Sequence, residues 1–90
     1  MITARKWVVR GRVQGVGYRY FVRLQAERLS LTGWVENKAD GSVETFAQGV
    51  MEDVDRLEAA LWKGPRQADV RKVEGFDSPP DSSSFDFEIR

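Results

Sequence analysis

The chain contains no cysteine and no histidine. Without cysteine, the protein cannot form disulfides, use a thiolate nucleophile or bind a metal through sulfur, and this composition is compatible with the reducing cytoplasm. Without histidine, Ser-His-Asp triads and most zinc-dependent catalysis are excluded. Long apolar runs are also missing, and the opening residues MITARKWVV lack the apolar core of a signal peptide. We therefore predict a cytoplasmic protein with no membrane partner.

The composition is typical of one small globular domain. The chain has 90 residues, of which 41% are hydrophobic and 31% are charged, and this is enough for a single modest core. No linker, internal repeat or low-complexity segment interrupts it. Residues 1–90 are therefore predicted to form one domain, which we expect to be a monomer.

Charge is balanced overall but unevenly distributed along the chain. The net charge is zero, yet residues 1–38 contain eight Lys or Arg and two acidic residues, whereas residues 39–90 contain six and twelve. A protein that binds nucleic acid over its whole surface is usually basic overall, so no nucleic-acid partner is predicted. A basic end suits a small anionic ligand, although complementary surface charge without a functional role explains the distribution more simply.

Hydrophobic periodicity in the first half predicts a strand, a helix and two further strands. Residues 6–13 are rich in β-formers, and apolar residues recur at helical spacing from 18 to 29. Thr32-Gly33 is predicted to end this helix, and a second strand begins at Trp34. The Asp40-Gly41 pair indicates a hairpin turn, after which a third strand follows over residues 43–47.

The second half predicts another helix and two more strands. Gly49 is expected to precede the helix, and Gly64-Pro65 to end it. Its buried face is predicted to consist of Val50, Val54, Leu57 and Leu61. Apolar residues at 70, 73 and 76 indicate a fourth strand, and Phe85, Phe87 and Ile89 alternate in a last one. This order, βαββαβ plus one strand, predicts an α+β, ferredoxin-like sandwich: two helices pack on one face of a mostly antiparallel sheet, and the fifth, C-terminal strand lies at an edge.

The segment VQGVGYR, residues 13–19, joins the first strand to the first helix. If Arg19 lies in the first helical turn, the amides from Gly15 to Arg19 lack intrahelical acceptors. Glycines allow such a backbone to curl so that its N–H groups converge, and a guanidinium can grip two phosphate oxygens at once. The segment therefore predicts an anion site at the helix N-terminus. A glycine-rich turn beside a surface arginine is the alternative, and the spacing matches neither a Walker loop nor the G-x-G-x-x-G fingerprint.

Asn37 closes the second predicted strand, although asparagine is a poor strand residue. Turn chemistry explains it in the simplest way. In the predicted topology, however, the second strand runs parallel to the first and two places away, so its end can approach the glycine loop. A neutral amide at that point is a candidate for positioning a water molecule.

Three motifs, GRVQGVGYR, GWVEN and DGSVETFAQG, occur in this order and spacing. With them the chain resembles the acylphosphatase family, and the similarity runs over nearly its whole length, roughly from Trp7 to Ile89. The resemblance implies hydrolysis of acyl phosphates, small-molecule carboxylic–phosphoric anhydrides, to a carboxylate and inorganic phosphate, which would act as product and competitive inhibitor. It also implies that no metal or cofactor is needed, which agrees with the missing histidine and cysteine.

The resemblance also assigns roles to particular residues. The backbone N–H groups of the loop and the motif arginine would bind the phosphoryl group, and the strand asparagine Asn37 would orient the attacking water. The phosphate-binding residues are then Gly15, Val16, Gly17, Tyr18 and Arg19, of which Arg19 is also catalytic.

Two other functions remain open from the residues alone. Some ferredoxin-like domains bind RNA by stacking bases on aromatic side chains of the sheet. The run from Gly17 to Val22 faintly resembles such a motif, but it is predicted at a helix start rather than on a central strand. A non-catalytic domain that binds phosphate is the second alternative. Because the sequence begins and ends with the domain, we expect a free-standing enzyme.

Overall fold

Five strands and two helices alternate along the chain in the computed structural model, which describes residues 2–90. Their bounds are β1 Ile2–Arg12, α1 Tyr18–Arg28, β2 Thr32–Asn37, β3 Val43–Val50, α2 Met51–Lys63, β4 Asp69–Asp77 and β5 Phe87–Ile89.

The strands form one sheet in the order β4-β1-β3-β2-β5. Each neighbouring pair is antiparallel except β2 and β5, which run parallel. Both helices pack on the same face, and the predicted ferredoxin-like plan with a fifth strand at the edge is thereby confirmed. Since β1 and β2 are each antiparallel to β3, they run in the same direction, so the glycine loop after β1 and Asn37 at the end of β2 lie at one end of the sheet.

The core lies between the helices and the sheet. Trp7 and Val9 from β1 are fully buried, as are Leu57 and Leu61 from α2. The indole N–H of Trp7 donates to the carboxylate of Glu58 at 2.7 Å, so the one polar atom of this large side chain is satisfied at the core boundary. Burial of each such side chain contributes about 1.5–3 kcal/mol.

The predicted end of the first helix was wrong by several residues. α1 ends at Arg28, and Thr32 and Gly33 belong to β2. The chain reverses at Ser30, whose φ is 57°, and the N–H of Leu31 returns to the carbonyl of Ala26 at 2.9 Å. A helix can therefore stop without a glycine when the next turn supplies partners for its last carbonyls.

Two further boundaries differ from the sequence prediction. Gly49 precedes α2 as expected, but Val50 ends β3 instead of belonging to the helix, and it is 45% exposed rather than part of the buried face. A Cβ on Gly49 would lie 2.5 Å from Cδ2 of Leu31, so a larger residue here would displace the Leu31 side chain. Phe85 lies outside β5, which starts only at Phe87, and it is 88% exposed. The loop before it is bonded to β3 through Gln48 and Asp81.

Candidate active site

The loop between β1 and α1 presents a row of unused backbone N–H groups. The first helical hydrogen bond runs from Phe21 N–H to the carbonyl of Gly17 at 3.0 Å. Within residues 2–90, none of the N–H groups from Gly15 to Arg19 donates to a protein acceptor. These amides are the free donors of a helix N-terminus, where the helix dipole favours an anion.

The curl of this loop depends on its two glycines. Gly15 has φ 73° and Gly17 has φ 77° with ψ 18°, both in the left-handed region, whereas Val16 between them has negative φ. When residues of positive and negative φ alternate, successive backbone N–H groups turn toward one point. Such a concave arrangement of N–H groups is called a nest, and it suits an anion. A Cβ at either glycine would meet no atom within 4 Å, so the constraint at these positions is conformational rather than steric.

The side chain of Tyr18 anchors the start of α1 to the second helix. It is 1% exposed, and its hydroxyl donates to the carbonyl of Leu61 in α2 at 2.8 Å. Burial raises the pKa of the Tyr18 hydroxyl well above its ordinary value, so it remains a neutral donor. The contact ties the start of α1 to the last part of α2.

Arg19 lies in the first turn of α1, as the sequence predicted. Its Nη1 donates to the backbone carbonyl of Arg90 at 2.8 Å. One of the five guanidinium donors is therefore committed to the end of β5, and that contact restricts the rotation of a long side chain whose remaining N–H groups can bind an anion.

Asn37 completes the arrangement from β2, which lies two places away from β1 in the sheet. It is the last residue of β2, it pairs with Val43 of β3, and it is exposed. Together with the glycine loop it borders a pocket of about 210 Å³, and the lining residues are Val13, Gly15, Gly17, Tyr18, Arg19, Tyr20, Asn37 and Ile89. Five of the six residues predicted from sequence thus meet in one pocket. Val16 is outside the lining, and its side chain packs against the core.

Gln14 is a site-supporting residue that the sequence reasoning did not identify. Its Nε2 donates to the carbonyls of Lys38 at 2.8 Å and Ser42 at 2.9 Å. Both carbonyls belong to the turn that follows Asn37, so one side-chain amide joins the glycine loop to the β2–β3 hairpin. Its place in the middle of the quoted motif was the available signal, but a long-range partner cannot be read from local spacing.

The hairpin turn is itself stiffened by a local carboxylate. Oδ1 of Asp40 accepts hydrogen bonds from the Ser42 hydroxyl at 2.6 Å and from the Ser42 backbone N–H at 2.9 Å. These two hydrogen bonds lower the pKa of Asp40 to about 2, because they stabilise its ionised form. The turn that carries Asn37 is therefore held from one side by Gln14 and from within by Asp40.

The described residues carry no feature typical of a metal site, a membrane span or an RNA-binding sheet. Within residues 2–90, no three Asp, Glu, His or Cys side chains come together as a metal-binding group. No helix in the same range is long and apolar enough to cross a bilayer. The run from Gly17 to Val22 lies at the start of α1 and not on a central strand, so it lacks the placement that RNA stacking on a sheet requires.

This combination of fold and loop defines a class: a ferredoxin-like sandwich with a glycine loop of unused backbone N–H groups at the start of its first helix. The model of the acylphosphatase family matches residues 5–89. The chain therefore belongs to the acylphosphatase family, and the prediction of an acyl phosphate hydrolase made from the sequence motifs is confirmed.

Individual relatives agree with this assignment. An acylphosphatase from Koribacter versatilis (strain Ellin345) is 46% identical over 85 residues, which cover 94% of this chain and 77% of the relative. The crystal structure of acylphosphatase from Bacillus subtilis superposes with a TM-score of 0.93 at 34% identity, covering 100% of this chain and 99% of that one. An acylphosphatase structure from Coxiella burnetii has a TM-score of 0.91 at 42% identity, with coverage of 99% and 93%.

Proposed function

We propose that the pocket beside the glycine loop is where this protein hydrolyses acyl phosphates. The backbone N–H groups of Gly15, Val16, Gly17, Tyr18 and Arg19, with the Arg19 guanidinium, bind the phosphoryl group. Asn37 orients the water that attacks phosphorus. The observation that carries this assignment is the row of unused N–H groups in a loop whose residues Gly15 and Gly17 line the same pocket as Arg19 and Asn37.

The reaction needs positioning and charge stabilisation more than proton transfer. A carboxylate is a good leaving group, so the bond between phosphorus and the acyl oxygen breaks without an acid. The water oxygen forms the new bond to phosphorus, and the electron pair of the broken bond leaves with the carboxylate. The water proton is transferred to a phosphate oxygen, which gives inorganic phosphate and balances the reaction.

The proposed catalytic advantage lies in donors that are already in place. Charge spreads over the three equatorial oxygens of the phosphoryl group in the transition state. The nest and the guanidinium meet those oxygens without reorganisation, and each such donor contributes about 10²–10³ in rate. The contact between Arg19 and the Arg90 carbonyl limits the motion of the cation before substrate arrives.

Two substitutions test the assignment directly. Arg19→Gln and Asn37→Ala should each lower kcat/KM for acetyl phosphate by at least about 10²-fold, with unchanged circular dichroism. Arg28→Gln is the matched control, since Arg28 lies exposed at the other end of the same helix. Near-full activity in both site variants would overturn the residue roles without affecting the family assignment.

The other expectations follow from the same mechanism. Inorganic phosphate should inhibit competitively, because it fits the same nest, and excess chelator should leave turnover unchanged. Three further properties stay predictions: the protein is a monomer, it binds no nucleic acid, and it is located in the cytoplasm. Sedimentation analysis and salt-dependent binding of single-stranded RNA measure the first two of these properties, and fractionation of the source cells measures the third.

A further inference from the structure

We infer that Tyr20 and Ile89 form a binding wall for the acyl group, and that this wall makes the enzyme prefer aromatic and apolar acyl phosphates. This inference rests on the proposed function of the pocket. Tyr20 lies in the first turn of α1, directly after Arg19, and Ile89 lies in β5, directly before Arg90. The hydrogen bond between Arg19 and the Arg90 carbonyl joins these two segments at the pocket.

Once the lining residues that bind the phosphoryl group and the water are set aside, Tyr20 and Ile89 remain to contact the acyl group. Gly15, Gly17 and Arg19 hold the phosphoryl group, and Asn37 holds the water. In-line attack requires the leaving carboxylate to lie on the side of phosphorus opposite the water, so the acyl group does not occupy the position of the water at Asn37. The hydrocarbon that remains in the lining comes from Val13, Tyr18, Tyr20 and Ile89.

The four apolar side chains of the lining differ in how far they are exposed, and only exposed ones are accessible to a ligand. Val13 and Tyr18 are each 1% exposed and belong to the core, whereas Tyr20 is 56% exposed and Ile89 is 37% exposed. A ligand can therefore cover the second pair without disturbing the fold. An aromatic ring and a branched aliphatic side chain beside an anion-binding nest match a ligand that is charged at one end and apolar at the other.

The ring of Tyr20 packs against a cationic side chain of the same helix, Arg23. The guanidinium carbon of Arg23, one helical turn further along α1, lies 5.6 Å from the ring centroid. This cation–π contact restricts the ring and lowers the entropy lost when a ligand stacks on it. The same guanidinium raises a competing possibility, an acyl group that carries its own carboxylate, and the test below separates the two.

The readout is the ratio of kcat/KM for benzoyl phosphate to kcat/KM for acetyl phosphate. Loss of the ring in Tyr20→Ala should lower this ratio by roughly tenfold, as expected for loss of one stacking partner. Ile89→Ala should lower it by a smaller factor. Tyr20→Phe keeps the ring and should keep the ratio, and Trp62→Ala, which removes a comparably exposed aromatic (49%) from α2, should also leave it unchanged.

The outcomes distinguish this inference from the proposed function. If Tyr20→Ala changes both substrates by the same factor, the wall does not contact the acyl group and the inference is wrong. It is equally wrong if succinyl phosphate is preferred over benzoyl phosphate and Arg23→Gln abolishes that preference. Failure of the phosphoryl site would show instead as unchanged acetyl phosphate turnover in Arg19→Gln, whatever the ratio.

Discussion

The guanidinium of Arg19 donates a hydrogen bond to the backbone carbonyl of Arg90 at 2.8 Å, and this contact joins the start of α1 to the end of the edge strand β5. The N–H of Arg90 in turn donates to the carbonyl of Val35 at 2.8 Å. The last residue thus connects the cation to β2, the strand that ends at Asn37. The two groups proposed for catalysis are therefore positioned through one short run of backbone.

Deletion of Arg90 should lower kcat/KM for acetyl phosphate by about tenfold, because loss of one orienting hydrogen bond costs about 1.5 kcal/mol. Arg90→Ala is the matched control. It retains the carbonyl that Arg19 needs and removes only the side chain, which lies 4.8 Å from the Trp34 ring centroid. Equal activity in the deletion and in Arg90→Ala would show that the carbonyl contact does not position Arg19.

Replacement of Gln14 should affect both stability and catalysis, since its amide bonds two carbonyls of the hairpin turn. Gln14→Ala should reduce the free energy of unfolding by about 1–2 kcal/mol and lower kcat/KM. Gln14→Glu places a carboxylate against two carbonyl oxygens and should be worse at pH 8 than at pH 5, where partial protonation restores a donor. Urea denaturation and steady-state kinetics at both pH values measure this. A Glu variant with no pH dependence beyond that of the wild type would contradict it.

Two glycines should respond to alanine in different ways. Gly15→Ala introduces a left-handed residue at a cost of about 1–2 kcal/mol, with no clash, so the fold should persist while phosphate affinity falls as the nest relaxes. In Gly33→Ala, the new Cβ would lie 1.9 Å from the carbonyl oxygen of Phe46, and β2 and β3 would have to separate. Thermal unfolding together with phosphate titration distinguishes the two effects. Similar loss of stability in both variants would refute the conformational explanation for Gly15.

Acid should weaken the hairpin turn within a defined window. The folded pKa of Asp40 is lowered from 3.8 to about 2, so the unfolded state binds more protons between these values and stability rises with pH there. The contribution of Asp40 is fully present above pH 4 and is lost as pH falls toward 2. Urea unfolding of the wild type and of Asp40→Asn over pH 2–5 measures it: the stability difference between the two proteins should shrink on acidification. A constant difference would be inconsistent with the lowered pKa.

Much of the fold could be predicted because its signals are local. The helical spacing of Tyr18, Val22 and Ala26 and the acidic start of α2 locate the two helices. One boundary was wrong because a glycine has a tertiary reason. Gly33 was interpreted as part of the end of the first helix, but it lies in β2, where a Cβ would come within 1.9 Å of the Phe46 carbonyl oxygen on β3. Such crowding arises only after the chain has folded.

The sequence by itself determined the element order, the glycines that allow left-handed backbone before α1, and the chemical groups available, which are amides, one guanidinium and one carboxamide without histidine or cysteine. Tertiary structure decided how those groups meet. Gln14 contacts a turn 24 residues away, Arg19 a carbonyl 71 residues away, and Ile89 reaches the pocket only because β5 pairs with β2. The pattern of residue types along the chain reflects local conformational preferences. The tertiary contacts of a side chain depend instead on which strands pair and in what register.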